Sequence, residues 1–96
     1  MNLKIECAAI WDHKTNQVFA LAKPNRHHDI IRYMTNKGFD ASQRCTQGFL
    51  TNNLDFVDRK QAALIANKAG QIKEVILKGI PMKRQEVTIL YSEDCW

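Results

Sequence analysis

Gln47-Gly48-Phe49-Leu50-Thr51-Asn52-Asn53-Leu54-Asp55-Phe56-Val57-Asp58-Arg59-Lys60-Gln61-Ala62 is the stretch whose reading decides the fold. Gln47 to Thr51 and Leu54 to Val57 are short apolar-rich runs. The Asn52-Asn53 pair between them suits a tight hairpin turn, because asparagine tolerates positive φ. Asp58 then offers a helix cap, and Gln61 three residues on completes a capping box. Ala62, Ile65, Ala66 and Ala69 build a small-residue face that Gly70 ends. Such a face lets a helix lie close on a sheet or on another helix. The stretch reads as a hairpin followed by a helix.

The same order recurs upstream. Leu3 to Trp11 and Gln17 to Lys23 are apolar runs joined by the polar loop Asp12-His13-Lys14-Thr15-Asn16. Cys7, Ala8, Ala9 and Ile10 do not alternate with polar residues, so the first strand is expected to be covered on both faces. Pro24-Asn25 opens a helix. Its Ile30, Ile31 and Met34 fall on one stripe with Tyr33 at the edge, and Gly38 stands where a left-handed C-terminal residue is wanted. Asp40 to Thr46 reads as a loop. Downstream, Ile72 to Leu77 reads as a strand or a short helix broken by Gly79 and Pro81, and Val87 to Tyr91 as a final strand. The expectation is an α+β fold: two β-hairpins each followed by a helix, plus a C-terminal strand, in one small domain over residues 1–96.

Composition narrows the function classes. Ninety-six residues allow one compact domain, or half of an assembly, and exclude a two-domain enzyme with its own cofactor domain. A chain this short buries only about 60–65% of its unfolded surface, which leaves a lone copy marginally stable. The apolar fraction of 45% and charged fraction of 25% are those of a folded protein, not a disordered one. A net charge of +4 suits an anionic ligand and is small for a polynucleotide binder. Cys7, Cys45 and Cys95 make no CxxC spacing, so neither a disulfide framework nor a Cys-built zinc site is expected. No apolar run approaches the roughly 20 residues of a membrane helix, and the first residues lack the apolar core of a signal peptide, so reduced cytosol is the expected compartment.

Three groups of residues have chemical character. Arg26-His27-His28 lies at a predicted helix start, where free N–H groups and the dipole favour an anion and arginine adds a planar donor fork. The plainer reading is a solvated helix start with histidines packed on a neighbour. No HxxxH spacing joins them to His13, and a shared metal is not expected. Phe56-Val57-Asp58-Arg59 is the second group. Asp58 is most simply a cap, but Arg59 in the first turn opposes the helix dipole unless a phosphate or a partner carboxylate faces it. Phe49 and Phe56 supply rings that stack a base or pack in the core, and Glu93-Asp94 is an acidic pair. There is no nucleophile motif and no phosphate-cradling Gly-rich loop, so catalysis has no sequence support.

Taken together, Arg26-His27-His28-x-Ile30-Ile31, Gln47-Gly48-Phe49-Leu50-Thr51, Phe56-Val57-Asp58-Arg59-x-x-Ala62, Ala69-Gly70-Gln71-Ile72 and Leu90-Tyr91-Ser92-Glu93-Asp94-Cys95-Trp96 resemble a family of small phage and prophage proteins. Its recurrent pattern is RHxxII, GFxTxxGxFVDRxEA, AGQ and SEDLW. The blocks run from Arg26 to Trp96 and are similar to the Thoeris anti-defence family of the first type described. The resemblance implies a non-catalytic sponge, working in the host cytoplasm, that encloses a cyclic ADP-ribose isomer intact. It also implies assembly into dimers or hexamers with ligands between protomers, and in some members a second site for cyclic oligonucleotides. No cofactor, metal, membrane or polynucleotide is implied. Carried over by position, the ligand-binding candidates are Arg26, His27, Gly48, Phe49, Asp58, Arg59, Glu93 and Asp94. The chain departs from the pattern at Asn53, read as the place of its turn glycine, at Gln61 for its Glu, and at Cys95 for its Leu, which makes the terminal packing less firm.

Three function classes follow. A sponge for a cyclic ADP-ribose isomer uses Arg26, Phe49, Asp58 and Arg59. A small metal-dependent enzyme on a nucleoside diphosphate derivative would use Asp58 or Glu93-Asp94. A nucleic-acid or protein-interaction module would show steep salt dependence, and the lack of a dense Lys/Arg run makes it the weakest of the three.

Overall fold

A computed structural model describes residues 3–41, 44–73, 75–82 and 87–96. Strands β1 (Ile5–Asp12) and β2 (Gln17–Ala20) form the first hairpin and are followed by helix α1 (His27–Asn36). Strands β3 (Cys45–Thr51) and β4 (Phe56–Asp58) form the second, followed by helix α2 (Arg59–Lys68). The four strands make one antiparallel sheet in the order β2-β1-β3-β4. The expected α+β arrangement is present.

Directly paired residues share a face of a sheet, so the register assigns the two sides. Ala8 pairs with Phe49, and both join Ile10 in a core with Ile30 and Met34 of α1 and Ala62, Ala63 and Ala66 of α2. Both helices therefore cover one side. The other side carries Ala9 paired with Gly48 and Cys7 paired with Leu50, and there the rings of Trp11 and Phe56 meet at 5.7 Å. Cys7 to Ile10 are all buried, which is why β1 does not alternate. The inner face of α2 is Ala62, Ala63 and Ala66; Ala69 is exposed, and Gly70 takes φ +69° just past the helix. Gly38 likewise takes φ +87° after α1.

Three side-chain amides do the work of missing strands. Asn52 pairs with Lys4 as a ladder residue would, its N–H donating to the Lys4 carbonyl and its Oδ1 accepting from the Lys4 N–H, each at 3.0 Å. Gln71 brackets Ile5, accepting from its N–H at 2.7 Å and donating to its carbonyl at 2.9 Å. Asn67 donates to the carbonyls of Ala63 and Val87, tying residue 87 to α2. The AGQ block thus has a plain structural function.

Several expectations are corrected. Strand β3 begins at Cys45, inside the expected loop, of which residues 42 and 43 lie outside the described ones. Of the two readings of the Ile72 to Leu77 segment, whose residue 74 also lies outside, the strand is the one present: β5 (Val75–Leu77), paired with β6 (Ile80–Met82). Lys78 and Gly79 form its turn with φ of 53° and 80°, and Pro81 sits within β6 opposite Ile76 rather than breaking a strand. Val87 to Tyr91 is not a strand. The Leu90 N–H donates to the Arg59 carbonyl at 3.0 Å and the Val87 carbonyl accepts from Asn67, so these two groups bond to α2 rather than to a sheet edge.

The turn between β3 and β4 carries a further correction. Its left-handed residue is Leu54, at φ 65°, not Asn53. Counting back from Phe56-Val57-Asp58-Arg59, the glycine of the recurrent pattern also falls at Leu54. A left-handed non-glycine residue costs about 1–2 kcal/mol, partly offset by the extra unfolded-state entropy a glycine would bring. Leu54 is 74% exposed and has little packing to lose. Leu54→Gly should therefore stabilise the protein by about 0.5–1 kcal/mol and raise Tm by several degrees. An unchanged or lower Tm in a thermal melt would show that the turn carries no such strain.

Candidate functional site

The site is built where both helices begin. Arg26 caps α1: its N–H donates to the Asp29 carboxylate at 2.8 Å, and its carbonyl accepts from Asp29 and Ile30. Its guanidinium reaches away from the helix and donates to the Trp96 carbonyl. Trp96 in turn donates its indole N–H to the Asn25 carbonyl at 3.1 Å, and the Lys23 ammonium lies 5.0 Å from its ring centroid. The C-terminal residue is thereby stitched to the segment that enters α1.

His27 is buried, and its Nε2–H donates to the Gly48 carbonyl at 2.7 Å, since a carbonyl can only accept. Burial pushes its pKa down, and the Arg59 charge adds to this, against the opposing pull of the Gly48 hydrogen bond and the Glu93 carboxylate. The fold therefore favours the neutral imidazole. Below about pH 6.5 the unfolded chain takes up a proton more readily than the folded one, so stability from His27 is complete above that pH and falls below it. Tm should drop between pH 7 and 5.5. His27→Gln, which keeps a donor for Gly48 but cannot titrate, should flatten that decline; an equally steep decline in the variant would exclude His27 as its source. His28 points elsewhere, exposed and 3.4 Å from Asp29, so the two histidines share no site.

At α2 the expected box is complete. Asp58 Oδ1 accepts from the Gln61 N–H at 2.8 Å, and the Asp58 N–H donates to Gln61 Oε1 at 3.3 Å. The Asp58 carboxylate is engaged as a cap. Arg59 is held from two sides: Nη2 donates to Gln47 Oε1 at 2.7 Å, and the guanidinium carbon stands 4.7 Å over the Tyr91 ring. Its Nε is buried without a hydrogen-bond partner among the described residues. A buried donor left so costs about 1–3 kcal/mol.

Gly48 joins the two halves. Its carbonyl takes His27 from α1, and it stands opposite Asp58, the cap of α2. A Cβ there would lie 2.2 Å from the Val57 carbonyl oxygen and 2.7 Å from a Phe56 ring carbon. Both positive helix ends thus meet on one strand residue whose lack of a side chain permits the approach.

The terminal block closes the arrangement. Leu90 and Ser92 are buried, and a short 3-10 turn (Ser92–Asp94) follows. The Asp94 carboxylate accepts from the Tyr91 N–H at 3.0 Å, and its carbonyl from Lys73 at 2.8 Å. Glu93 is exposed. Cys95 and Trp96 pack against the core despite the departure from the pattern at Cys95.

Of the residues singled out from the sequence, Arg26, His27, Gly48, Phe49, Asp58, Arg59 and Glu93 are gathered around these helix starts, while Asp94 braces its own turn. Phe49 corrects an expectation: it is 0% exposed, with His27 edge-on at 5.1 Å and Trp96 at 6.1 Å, and offers no face to a base. Phe56 belongs to the opposite face of the sheet. Gln47, Tyr91 and Lys23 were not foreseen, because only tertiary packing brings them to Arg59 and Trp96. Among the described residues no three His, Cys, Asp or Glu side chains are placed to hold a metal ion, and no helix is long and apolar enough to cross a membrane.

The family model described as phage T4 y16D protein matches residues 4–96. No curated protein matches the chain, and neither does any solved structure.

Proposed function

The chain belongs to the phage T4 y16D protein family, and from that premise we propose that it binds a cyclic ADP-ribose-type signalling nucleotide, holds it uncleaved, and so blocks Thoeris immunity in the host cytoplasm. The observation that carries this reading is Arg59. A cation placed at the positive end of a helix is unfavourable alone and favourable once a phosphate faces it. The start of α1, with Arg26, supplies a second anion-favouring end, joined to the first through Gly48. Two such ends suit the paired phosphates of a diphosphate. The carboxylate of Asp58 is committed to its cap, which favours binding over catalysis by that residue.

A working unit of two or more copies is part of the proposal. The radius of gyration is 14.4 Å, where a compact chain of this length has about 12.5 Å. Leu64, Ile76 and Ile80 are large apolar side chains left exposed.

Calorimetric titration of the wild type with a panel of cyclic ADP-ribose isomers and cyclic oligonucleotides tests the reading. At least one cyclic ADP-ribose isomer should bind, and heating the complex should release it chemically unchanged. Binding of none, or recovery of a cleaved product over many turnovers, would overturn it. Sedimentation of the same samples gives the assembly state.

A further inference from the structure

We propose that Tyr91 is the base-stacking wall of this site, so that one residue pair, Arg59 and Tyr91, grips both a nucleobase and its phosphates; this rests on the nucleotide reading above. A nucleotide site needs a ring with an accessible face, and the rings marked by the sequence do not provide one. Phe49 is sealed in the core, and Phe56 packs with Trp11 across the sheet. Trp96 has the Lys23 ammonium over it, Phe49 at its edge and its indole N–H bound to Asn25. Tyr33 lies beyond the first turn of α1, beside Lys37.

Tyr91 differs from all of these. It is 46% exposed and lies beside Arg59, the first residue of α2, with the guanidinium centred 4.7 Å over its ring. A planar cation on an aromatic ring extends naturally into a three-layer stack, because a base offers a further π-face. Gln47 holds the same guanidinium from the side, so ring and donors keep a fixed relation. A base lying on Tyr91 carries its phosphates toward the Arg59 end of α2, where the dipole and the guanidinium charge act together.

The test is calorimetry on wild type, Tyr91→Phe, Tyr91→Leu and Tyr91→Ala, using the tightest-binding cyclic ADP-ribose isomer and, as a base-free probe, inorganic pyrophosphate. Tyr91→Phe should bind the nucleotide within about threefold of wild type. Tyr91→Leu, which keeps apolar bulk against Arg59, and Tyr91→Ala should each lose tenfold or more, while pyrophosphate affinity stays the same. Loss of adenine absorbance on binding should appear with wild type and Tyr91→Phe and vanish with Tyr91→Leu. Wild-type nucleotide affinity in Tyr91→Leu would overturn the inference and leave the sponge reading standing. Equal loss of nucleotide and pyrophosphate would also overturn it, since Tyr91 would then act only by holding Arg59. A wild type that binds no nucleotide would overturn both.

Discussion

Gly48→Ala should destabilise the protein by about 3 kcal/mol or more and, with the fold, remove the proposed nucleotide binding. The new methyl would stand 2.2 Å from the Val57 carbonyl oxygen, far inside contact distance, so β4 would have to leave its register. Neither obstacle yields easily. Val57 leads directly into the Asp58 cap, and the Phe56 ring that would also clash, at 2.7 Å, is lodged against Trp11. The backbone of Gly48 is not in the left-handed region, so it is the space, not the conformation, that demands glycine. Because a domain of this size has only some 5–10 kcal/mol of stability, such a loss leaves a large unfolded fraction at 37 °C. Denaturant melts decide it: a midpoint close to wild type would mean that β4 can shift without harm.

Arg59→Ala should have the opposite profile, with a large effect on the proposed binding and a small one on the fold. Hydrogen bonds from a guanidinium to phosphate contribute about 1.5–3 kcal/mol each, so losing two weakens affinity a hundredfold or more. Against this, the folded protein loses a bond to Gln47 and a half-exposed contact with Tyr91, each about 1 kcal/mol or less. It gains relief from a buried donor that lacks an acceptor among the described residues and from a cation opposing the dipole. Stability should stay within about 1 kcal/mol of wild type. Calorimetry beside thermal melts separates the cases. A variant that binds normally but melts early would make Arg59 a fold residue and remove the main support for the proposed function.

What could be read from the chain divides along a physical line. The Asp58–Gln61 box, the glycine after each helix and the failure of alternation in β1 all rest on neighbours in sequence, so their signals are local and legible. The β5–β6 hairpin was obscured because Pro81, usually a breaker, occupies a strand, where a short two-stranded ribbon tolerates it. Val87 to Tyr91 looked like a strand because its residues favour extended backbone. Whether such a segment joins a sheet depends on what accepts its hydrogen bonds, and here Arg59 and Asn67 do. The site follows the same division. Arg26 and Arg59 announce themselves by standing at helix starts, but nothing at residue 59 points to residue 91. Phe49 carried the right chemistry in the wrong place, since burial is a property of the packed molecule.

The amide of Gln71 has a consequence beyond local bonding. Successive residues of an extended strand turn their N–H and C=O groups to opposite sides, and Lys4 faces Asn52. Ile5 therefore faces the flank that β2, which reaches only as far as Ala9, leaves bare. An open flank of that kind is a template on which a strand from another molecule can add, the first step toward tangled aggregates. By occupying both polar groups of Ile5, Gln71 blocks that docking point with one side chain. Under the proposed sponge function, which calls for a high concentration of the protein, so small a device would help keep it in solution.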